Sequence, residues 1–498
     1  MTPSRDPAFP IPASGAPRQW SDWVGRRALV VGLARSGMAA ARALAERGIP
    51  VVASDLKSED ELAARSGQEA LDDLEARGVT LALGSGDARL LARADVVVTS
   101  PGVPPTAPLL AEADRREVPV VAELELAFQL SRAPWVAITG TNGKSTTTAL
   151  AGELLGAGGR RAHVCGNIGV AATEKAIEAG EGDVIVAEVS SFQLERVVTF
   201  RPRVAVMLNL TPDHLDRHGA LEVYAGLKAR VFARQGEGDV AVLNADDPLS
   251  ADWAGRYGLS ARVAYIRRGD RGAAIPETGA LADAVARADG AWVDPQGRIV
   301  RGWEGHRDVL LPARDLRIPG PHNVSNALAA VAATLGFDVE AKALSRALAR
   351  FGGLAHRLEA LGTVEGVPFY NDSKATNVDS LRTALLAFER PMVVIAGGRD
   401  KAGDWASLEA LASQRIGRVV LIGEAAPTIA AAWRRVPSVR ASDLDDAARQ
   451  SLAAARALEG APVVLSPGCA SFDQFRDFED RGEQFRAAVE RLRAGVGA

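Results

Sequence analysis

The chain has 498 residues, 47% hydrophobic and 24% charged, with a net charge of −4. That length exceeds one ordinary core, so about three domains are expected, and the mild negative charge offers no global attraction to nucleic acid or an anionic membrane. Two cysteines, Cys165 and Cys469, argue against a disulfide framework and fit a reducing compartment, and no apolar run approaches the ~20 residues of a membrane helix.

The chain opens on MTPSRDPAFPIPASGAPRQW, rich in proline and without an apolar signal core, so residues 1–22 are expected to be a disordered tail. The first organised segment, 23–131, starts with a buried-type strand over 27–32, a turn over 33–37 and an alanine-rich helix over 38–47. A second strand over 49–54 ends in Asp55. Strand, glycine turn, helix, strand and acid in that order resemble a dinucleotide-binding unit, yet Ala34 stands where that fingerprint has its middle glycine. The turn carries Gly32, Arg35, Ser36 and Gly37. It reads either as a diphosphate cradle with Asp55 accepting from a ribose or base, or as a plain structural unit. A further strand over 95–99 runs into Ser100, Pro101 and Gly102, at the same carboxyl edge, where open α/β sheets place ligands.

The middle segment, 132–353, carries most of the chemistry. ITGTNGKSTTT at 138–148 lies between an apolar strand and a helix expected over 147–155. Gly140 and Gly143, with Thr141 and Asn142 between them, can turn backbone N–H groups into one concavity at a helix N-terminus. Lys144 then reaches the β/γ-phosphates of ATP or GTP, and the Ser145 or Thr146 hydroxyl faces magnesium. Ile138 replaces the first glycine of the longer phosphate loop, so the match is to the short form, and a plain βα turn has the same glycines. A polar turn follows at Asn167. A buried strand over 183–189 bears one acid, Glu188, at the usual place for a magnesium ligand or water-positioning group. Asp213, His214, Asp216 and His218 read equally as a metal site or a surface turn, and Lys228 follows on a helix over 221–233. Residues 266–310 look like a small β-rich insertion without chemistry. Asn323 and Asn326 share one face near a helix start, which suits a base or substrate contact.

The last segment, 354–498, alternates strands and helices again. Its polar clusters all follow strands and so gather at the carboxyl edge of a third parallel sheet. Arginine is the default base in this chain, and only seven lysines occur: 57, 144, 175, 228, 342, 374 and 401. Lysine differs from arginine in losing its proton when buried and in reacting through its amine, so each lysine is informative.

GTNGKSTT, EVSSFQLE, TPDHLDRH, GPHNVSNALAA, LAHR, NDSKATN, GGRDK and SPGCASFDQF, in this order, resemble the Mur ligase family of cytoplasmic peptidoglycan synthesis. The phosphate loop and LAHR are also shared by folylpolyglutamate synthases, whereas NDSKATN with SPGCASFDQF resembles the D-glutamate-adding branch. The resemblance implies three α/β domains: a Rossmann-like UDP-substrate domain, a central ATPase domain with a mostly parallel sheet, and a Rossmann-like amino-acid domain. It also implies a cytoplasmic monomer that binds neither nucleic acid nor membrane. Its substrates would be ATP, UDP-N-acetylmuramoyl-L-alanine and D-glutamate, joined through an acyl phosphate, with two magnesium ions. Carried over by position, Lys144 contacts the transferred phosphate. Ser145 or Thr146, Glu188 and His214 hold magnesium, and Lys228, as a carbamate, bridges to the second ion. Asn323 and Asn326 hold adenine, Arg357 the γ-phosphate and Asp372 the ribose. Gly32, Arg35, Ser36, Gly37, Asp55, Ser100, Pro101, Gly102 and Asn167 form the UDP-substrate site, and Thr376, Lys401, Ser471 and Phe478 the D-glutamate site. Asp477 is awkward beside that anionic substrate. Another amino-acid ligase of the family, a folate enzyme, or a non-catalytic nucleotide-binding protein on the same fold are the alternatives.

Overall fold

The computed structural model describes residues 15–269, 278–388, 391–400 and 403–495. Lys401, assigned to D-glutamate by resemblance, and residues 1–14 of the expected tail lie outside the described residues. Two compact units account for the chain, one built from 1–314 and 325–348, the other from 315–324 and 349–498.

The first unit holds two sheets. One comprises β1 (Ala28–Val31), β2 (Val51–Asp55), β3 (Thr80–Leu83), β4 (Val96–Thr99) and β5 (Val120–Ala122), all parallel, in the order β3-β2-β1-β4-β5. The other comprises β6 (Trp135–Thr139), β7 (Ala162–Gly166), β8 (Val184–Glu188), β9 (Val204–Met207), β10 (Val240–Asn244), β11 (Arg262–Arg267), β12 (Gly290–Val293), β13 (Arg298–Trp303) and β14 (His306–Pro312). Their order is β14-β13-β12-β11-β10-β9-β6-β8-β7. The β-rich insertion expected over 266–310 is thus the antiparallel flank β12–β14 of a sheet that is otherwise parallel. Parallel strands covered on both faces read as unbroken apolar runs, and ALVV of β1 and WVAIT of β6 are buried throughout.

The second unit carries β15 (Glu359–Val364), β16 (Val367–Asn371), β17 (Met392–Gly397), β18 (Ile416–Ile422), β19 (Ser438–Arg440) and β20 (Val463–Leu465), ordered β15-β16-β20-β17-β18-β19, with only β15–β16 antiparallel. Strand order reverses between β1 and β4 and between β6 and β9. Open α/β sheets offer a crevice at the carboxyl ends of such strands, and Gly32 and Ser100 stand at the first, Gly140 and Asn209 at the second.

Three helices differ from expectation in their bounds, and the one expected over 221–233 ends at Ala229, followed by a 3-10 turn over Arg230–Phe232. The first helix runs Arg35–Ala45, so the expected turn over 33–37 ends at Ala34 and Gly37 is already helical. A Cβ on Gly37 would sit 1.8 Å from the Gly32 carbonyl oxygen, so this glycine permits close packing of helix on strand. The helix expected over 147–155 begins at Lys144 and runs to Ala157, because the phosphate loop closes directly into it. Residues 15–23 pack on the first sheet: Trp23 is fully buried and its Nε1 donates to Gln129 Oε1 at 2.8 Å. Truncating such an aromatic to alanine costs about 3–5 kcal/mol.

Candidate functional site

The loop after β6 is shaped by its two glycines. Gly140 has φ +150 and Gly143 φ +86; a Cβ on the first would meet Leu208 Cβ at 2.8 Å, and on the second Asn326 Oδ1 at 2.3 Å. The helix that starts at Lys144 has Gly143, in the left-handed region, as its N-cap, so the loop runs straight into the positive end of the helix. Ile138 is buried inside β6, in register with Glu188 of β8 and Val206 of β9. It is a core strand residue, which is why the loop takes the short form.

A neighbour that sequence reasoning missed pins this loop. Asn209, just after β9, accepts from the Asn142 N–H through Oδ1 at 2.9 Å and donates through Nδ2 to the Asn142 carbonyl at 3.1 Å, while its own carbonyl accepts from the Thr141 N–H at 3.0 Å. The Thr141 hydroxyl donates to the Thr211 carbonyl at 3.1 Å and lies 3.3 Å from the Tyr224 hydroxyl. Asn209's position at a strand end on the same carboxyl edge as Gly140 was the available signal. Asn326 closes the other side, 3.4 Å from the Thr147 hydroxyl. Asn323 Nδ2 donates to the Pro319 carbonyl at 2.7 Å, within the second unit.

Two buried charged groups stand beside the loop. Glu188 is 3% exposed; Oε1 accepts from Asn167 Nδ2 at 2.8 Å, and Oε2 has no hydrogen-bond partner. A buried, half-satisfied carboxylate is costly alone and suits a hard cation. Lys228 is 1% exposed, and its Nζ donates to the Gly140 carbonyl at 2.8 Å and lies over the Tyr224 ring at 4.6 Å. Burial, and next the Lys144 ammonium, hold the Lys228 amine well below the ordinary lysine range, against the opposing pull of Asp213 and Glu188. Lys144 Nζ itself donates to the Gly140 and Thr141 carbonyls at 2.9 and 2.7 Å. Ser145 is buried and Thr146 half-buried.

The segment after β9 divides. His214, in the left-handed region at φ +51, has a half-exposed side chain near Asp213 and against the Phe192 ring. His218 is buried, with Nε2 3.0 Å from the Ser191 hydroxyl. Among the described residues, no three His, Cys, Asp or Glu side chains gather as a metal set. Glu188 and the loop hydroxyls are oxygen donors of the kind magnesium takes together with phosphate oxygens.

At the other crevice, Gly32, Arg35, Ser36, Asp55, Ser100, Pro101, Gly102 and Asn167 all line one cavity of about 1260 Å³, together with Lys57, Glu174 and Gln193. Gly37 does not line it. Asp55 braces the turn, accepting from the Leu33 N–H at 2.6 Å and the Lys57 N–H at 2.9 Å, and the Ser100 hydroxyl donates to the Gly32 carbonyl at 2.6 Å.

In the second unit, Asp372 is buried at the end of β16 and accepts from the Ser466 hydroxyl at 2.8 Å and the Leu358 N–H at 3.2 Å; burial pushes its carboxyl up to about 7. Arg357 follows His356, whose carbonyl accepts from the Lys374 N–H. Thr376 is half-buried and Ser471 buried, and the Phe478 ring lies 4.8 Å from Lys374 Nζ. Asp477 caps the helix Phe478–Gly495, accepting from the Asp480 N–H at 2.7 Å, which gives its carboxylate a structural role. Arg481, which sequence reasoning passed over, is fully buried and donates to the Ser373 and Cys469 carbonyls, tying the turn after β16 to the turn after β20. Its place on a helix face with Phe485, Ala488 and Val489 was the signal.

Residues 26–122 match the profile of the Mur ligase MurD-like N-terminal domain, 138–334 that of the Mur ligase middle domain, and 356–469 that of the Mur ligase glutamate ligase domain. The UDP-N-acetylmuramoylalanine--D-glutamate ligase of Pelotomaculum thermopropionicum is 43% identical over 95% of this chain and 99% of its own. That of Geobacter metallireducens is 43% identical over 95% and 98%. Among solved structures, a pseudomurein peptide ligase type C from Methanothermus fervidus (TM-score 0.54, 16% identity) and a UDP-N-acetylmuramate-alanine ligase from Thermotoga maritima (0.53, 18%) each cover 94% of this chain and 100% of their own, a likeness of fold.

Proposed function

The chain belongs to the Mur ligase family, and from that premise we propose that it is an ATP-dependent ligase joining D-glutamate to UDP-N-acetylmuramoyl-L-alanine in peptidoglycan precursor synthesis. The observation that carries the catalytic reading is the buried pair beside the phosphate loop, Glu188 with its unpartnered Oε2 and Lys228 with its depressed amine, since nucleotide binding alone needs neither.

A carboxylate is a poor electrophile. Transfer of the γ-phosphoryl group to the L-alanine carboxylate gives an acyl phosphate and ADP; the D-glutamate amine then attacks, and the tetrahedral intermediate expels phosphate. Positioning and positive charge supply most of the acceleration. Gly140–Gly143 and the helix N-terminus hold the phosphate chain, with Thr141 and Asn142 fixed by Asn209, while Lys144 leaves its two loop carbonyls to follow the moving charge. Glu188, Ser145 or Thr146, and His214 would hold magnesium, whose charge would screen the phosphate oxygens from the incoming carboxylate. Burial favours the uncharged form of the Lys228 amine, the form that adds to CO2 with loss of a proton, so we assign it a carbamate that would serve a second ion.

By the same reading, 23–131 is the UDP-substrate domain, with Gly32, Arg35, Ser36, Asp55, Ser100, Pro101, Gly102 and Asn167 around the ligand; 132–353 is the ATP domain, with Asn323 and Asn326 toward adenine; and 354–498 receives the amino acid through Thr376, Lys401, Ser471 and Phe478, with Arg357 and Asp372 toward ATP. A cytoplasmic monomer fits these soluble nucleotide substrates. The test is phosphate release by purified protein given ATP, magnesium and UDP-N-acetylmuramoyl-L-alanine, with D-glutamate, L-glutamate, glycine, L-alanine or meso-diaminopimelate. Release with D-glutamate alone is expected; release with another acceptor overturns the assignment of the third domain.

A further inference from the structure

The short helix Leu215–His218 directly follows His214 and carries Arg217, whose guanidinium reaches two separate segments of the first unit, 101–103 and 192–195. Nε and Nη2 form a forked ion pair with Glu195, at 3.0 Å to Oε1 and 2.7 Å to Oε2. Nη1 donates to the Pro101 carbonyl and Nη2 to the Val103 carbonyl, both at 3.1 Å. The guanidinium carbon Cζ lies 4.0 Å from the centre of the Phe192 ring. Four of its five N–H donors are thus used, and the pair is largely buried, with side-chain exposures of 14% and 12%.

Each partner belongs to machinery already described. Pro101 and Val103 form a wall of the 1260 Å³ cavity, and Gln193, two residues before Glu195, forms another part of that wall. Glu195 follows the strand that ends in Glu188. The backbone of His214 is joined to the same helix, through N–H donation from Arg217 and His218 to the His214 carbonyl at 3.1 and 3.0 Å. A lysine lacks the planar fork needed to grip a carboxylate and two carbonyls at once, so the arrangement is specific to arginine.

We propose that Arg217 is a positioning residue that couples occupancy of the UDP-substrate cavity to the loop bearing Asp213 and His214. A ligand that settles the 101–103 wall fixes the guanidinium, and the guanidinium fixes the backbone of His214. Coupling of this kind is reciprocal, so magnesium nucleotide bound at the phosphate loop tightens the UDP substrate by the same factor. The inference rests on the cavity being the UDP-substrate site.

The test is the dissociation constant of UDP-N-acetylmuramoyl-L-alanine by calorimetry, with and without magnesium and a non-hydrolysable ATP analogue, for the wild type, Arg217→Lys and Glu195→Gln. In the wild type the analogue is expected to tighten binding about 10-fold. Arg217→Lys keeps the charge and should fold, yet lose that enhancement to within about two-fold while retaining wild-type affinity for the analogue alone. An unchanged enhancement in Arg217→Lys overturns the proposal, as does a wild type that binds the UDP substrate with no enhancement. A wild type that does not bind the UDP substrate overturns instead the reading of the cavity on which the proposal stands. Glu195→Gln, which leaves the carbonyl contacts in place, should keep part of the enhancement.

Discussion

The turn after β1 and the loop after β6 both leave a buried parallel strand where the strand order of their sheet reverses, pass a glycine at positive φ and enter a helix. Their surroundings differ. Around the first, Arg35 and Lys57 are exposed, and the carboxylate at the turn, Asp55, spends its oxygens on the backbone N–H groups of Leu33 and Lys57. Around the second, Lys228 and Glu188 are buried, one amine depressed and one carboxylate oxygen without a partner. Glycine and a helix N-terminus suffice to make a cradle for phosphate. Whether the phosphate is only held or is chemically transferred depends on charge kept out of water beside it.

The largest effect expected from breaking this contrast is at Glu188. Glu188→Gln preserves the acceptor for Asn167 and removes only the charge. Phosphate release should fall about 100- to 1000-fold, with a higher magnesium requirement and a melting temperature within about 2 °C of wild type. Lys228→Arg should be comparably inactive although it is still a cation, because a guanidinium does not form the carbamate. In CO2-depleted buffer the wild type should lose most of its activity and recover it with bicarbonate, and 13C-labelled bicarbonate should give a carbamate signal that the variant lacks. Activity indifferent to CO2 would remove the carbamate from the account.

A smaller effect sharpens the other side. Asp55→Asn keeps a carbonyl oxygen for Leu33 and loses the charge at the cavity, so KM for the UDP substrate should rise about 10-fold, the equivalent of about 1.4 kcal/mol, with KM for ATP unchanged. Equal changes in both constants would mean the two cradles are not separable.

A further effect is expected on stability and leaves both cradles untouched. Burial raises the Asp372 carboxyl from its ordinary 3.8 to about 7, so the folded state holds a proton that the unfolded state has released between those values. This group's contribution is complete below about pH 4 and is lost as pH rises through 7, at a limiting slope of about 1.4 kcal/mol per pH unit. Asp372→Asn should flatten the pH dependence of the melting temperature across that window, as read by calorimetric scans.

Much of this was legible in the sequence because the relevant residues are contiguous. ITGTNGKSTTT carries its own strand, turn and helix signals, and the run ALVV declares a strand buried on both faces. What escaped were residues whose meaning lies in a distant neighbour. Asn209 matters because β9 lies next to β6 in the sheet, a pairing absent from local pattern. Arg217 is not singled out by local pattern, because its partners Pro101, Val103 and Glu195 are distant in sequence. Gly37 was read as part of a ligand turn, yet it serves the approach of helix to strand, a distinction that only the Gly32 carbonyl makes. Asp477 seemed misplaced beside an anion because the sequence hides the helix start that it caps.

The central claim is that the buried pair beside the loop after β6, Glu188 and Lys228, serves phosphoryl transfer to a carboxylate. It is tested most directly with UDP-N-acetylmuramoyl-L-alanine labelled with 18O in the alanine carboxylate, followed by mass analysis of the phosphate released during ligation to D-glutamate. Activation through an acyl phosphate places one labelled oxygen in each phosphate and none in ADP. Phosphate free of label, with ligated product formed, would contradict the account.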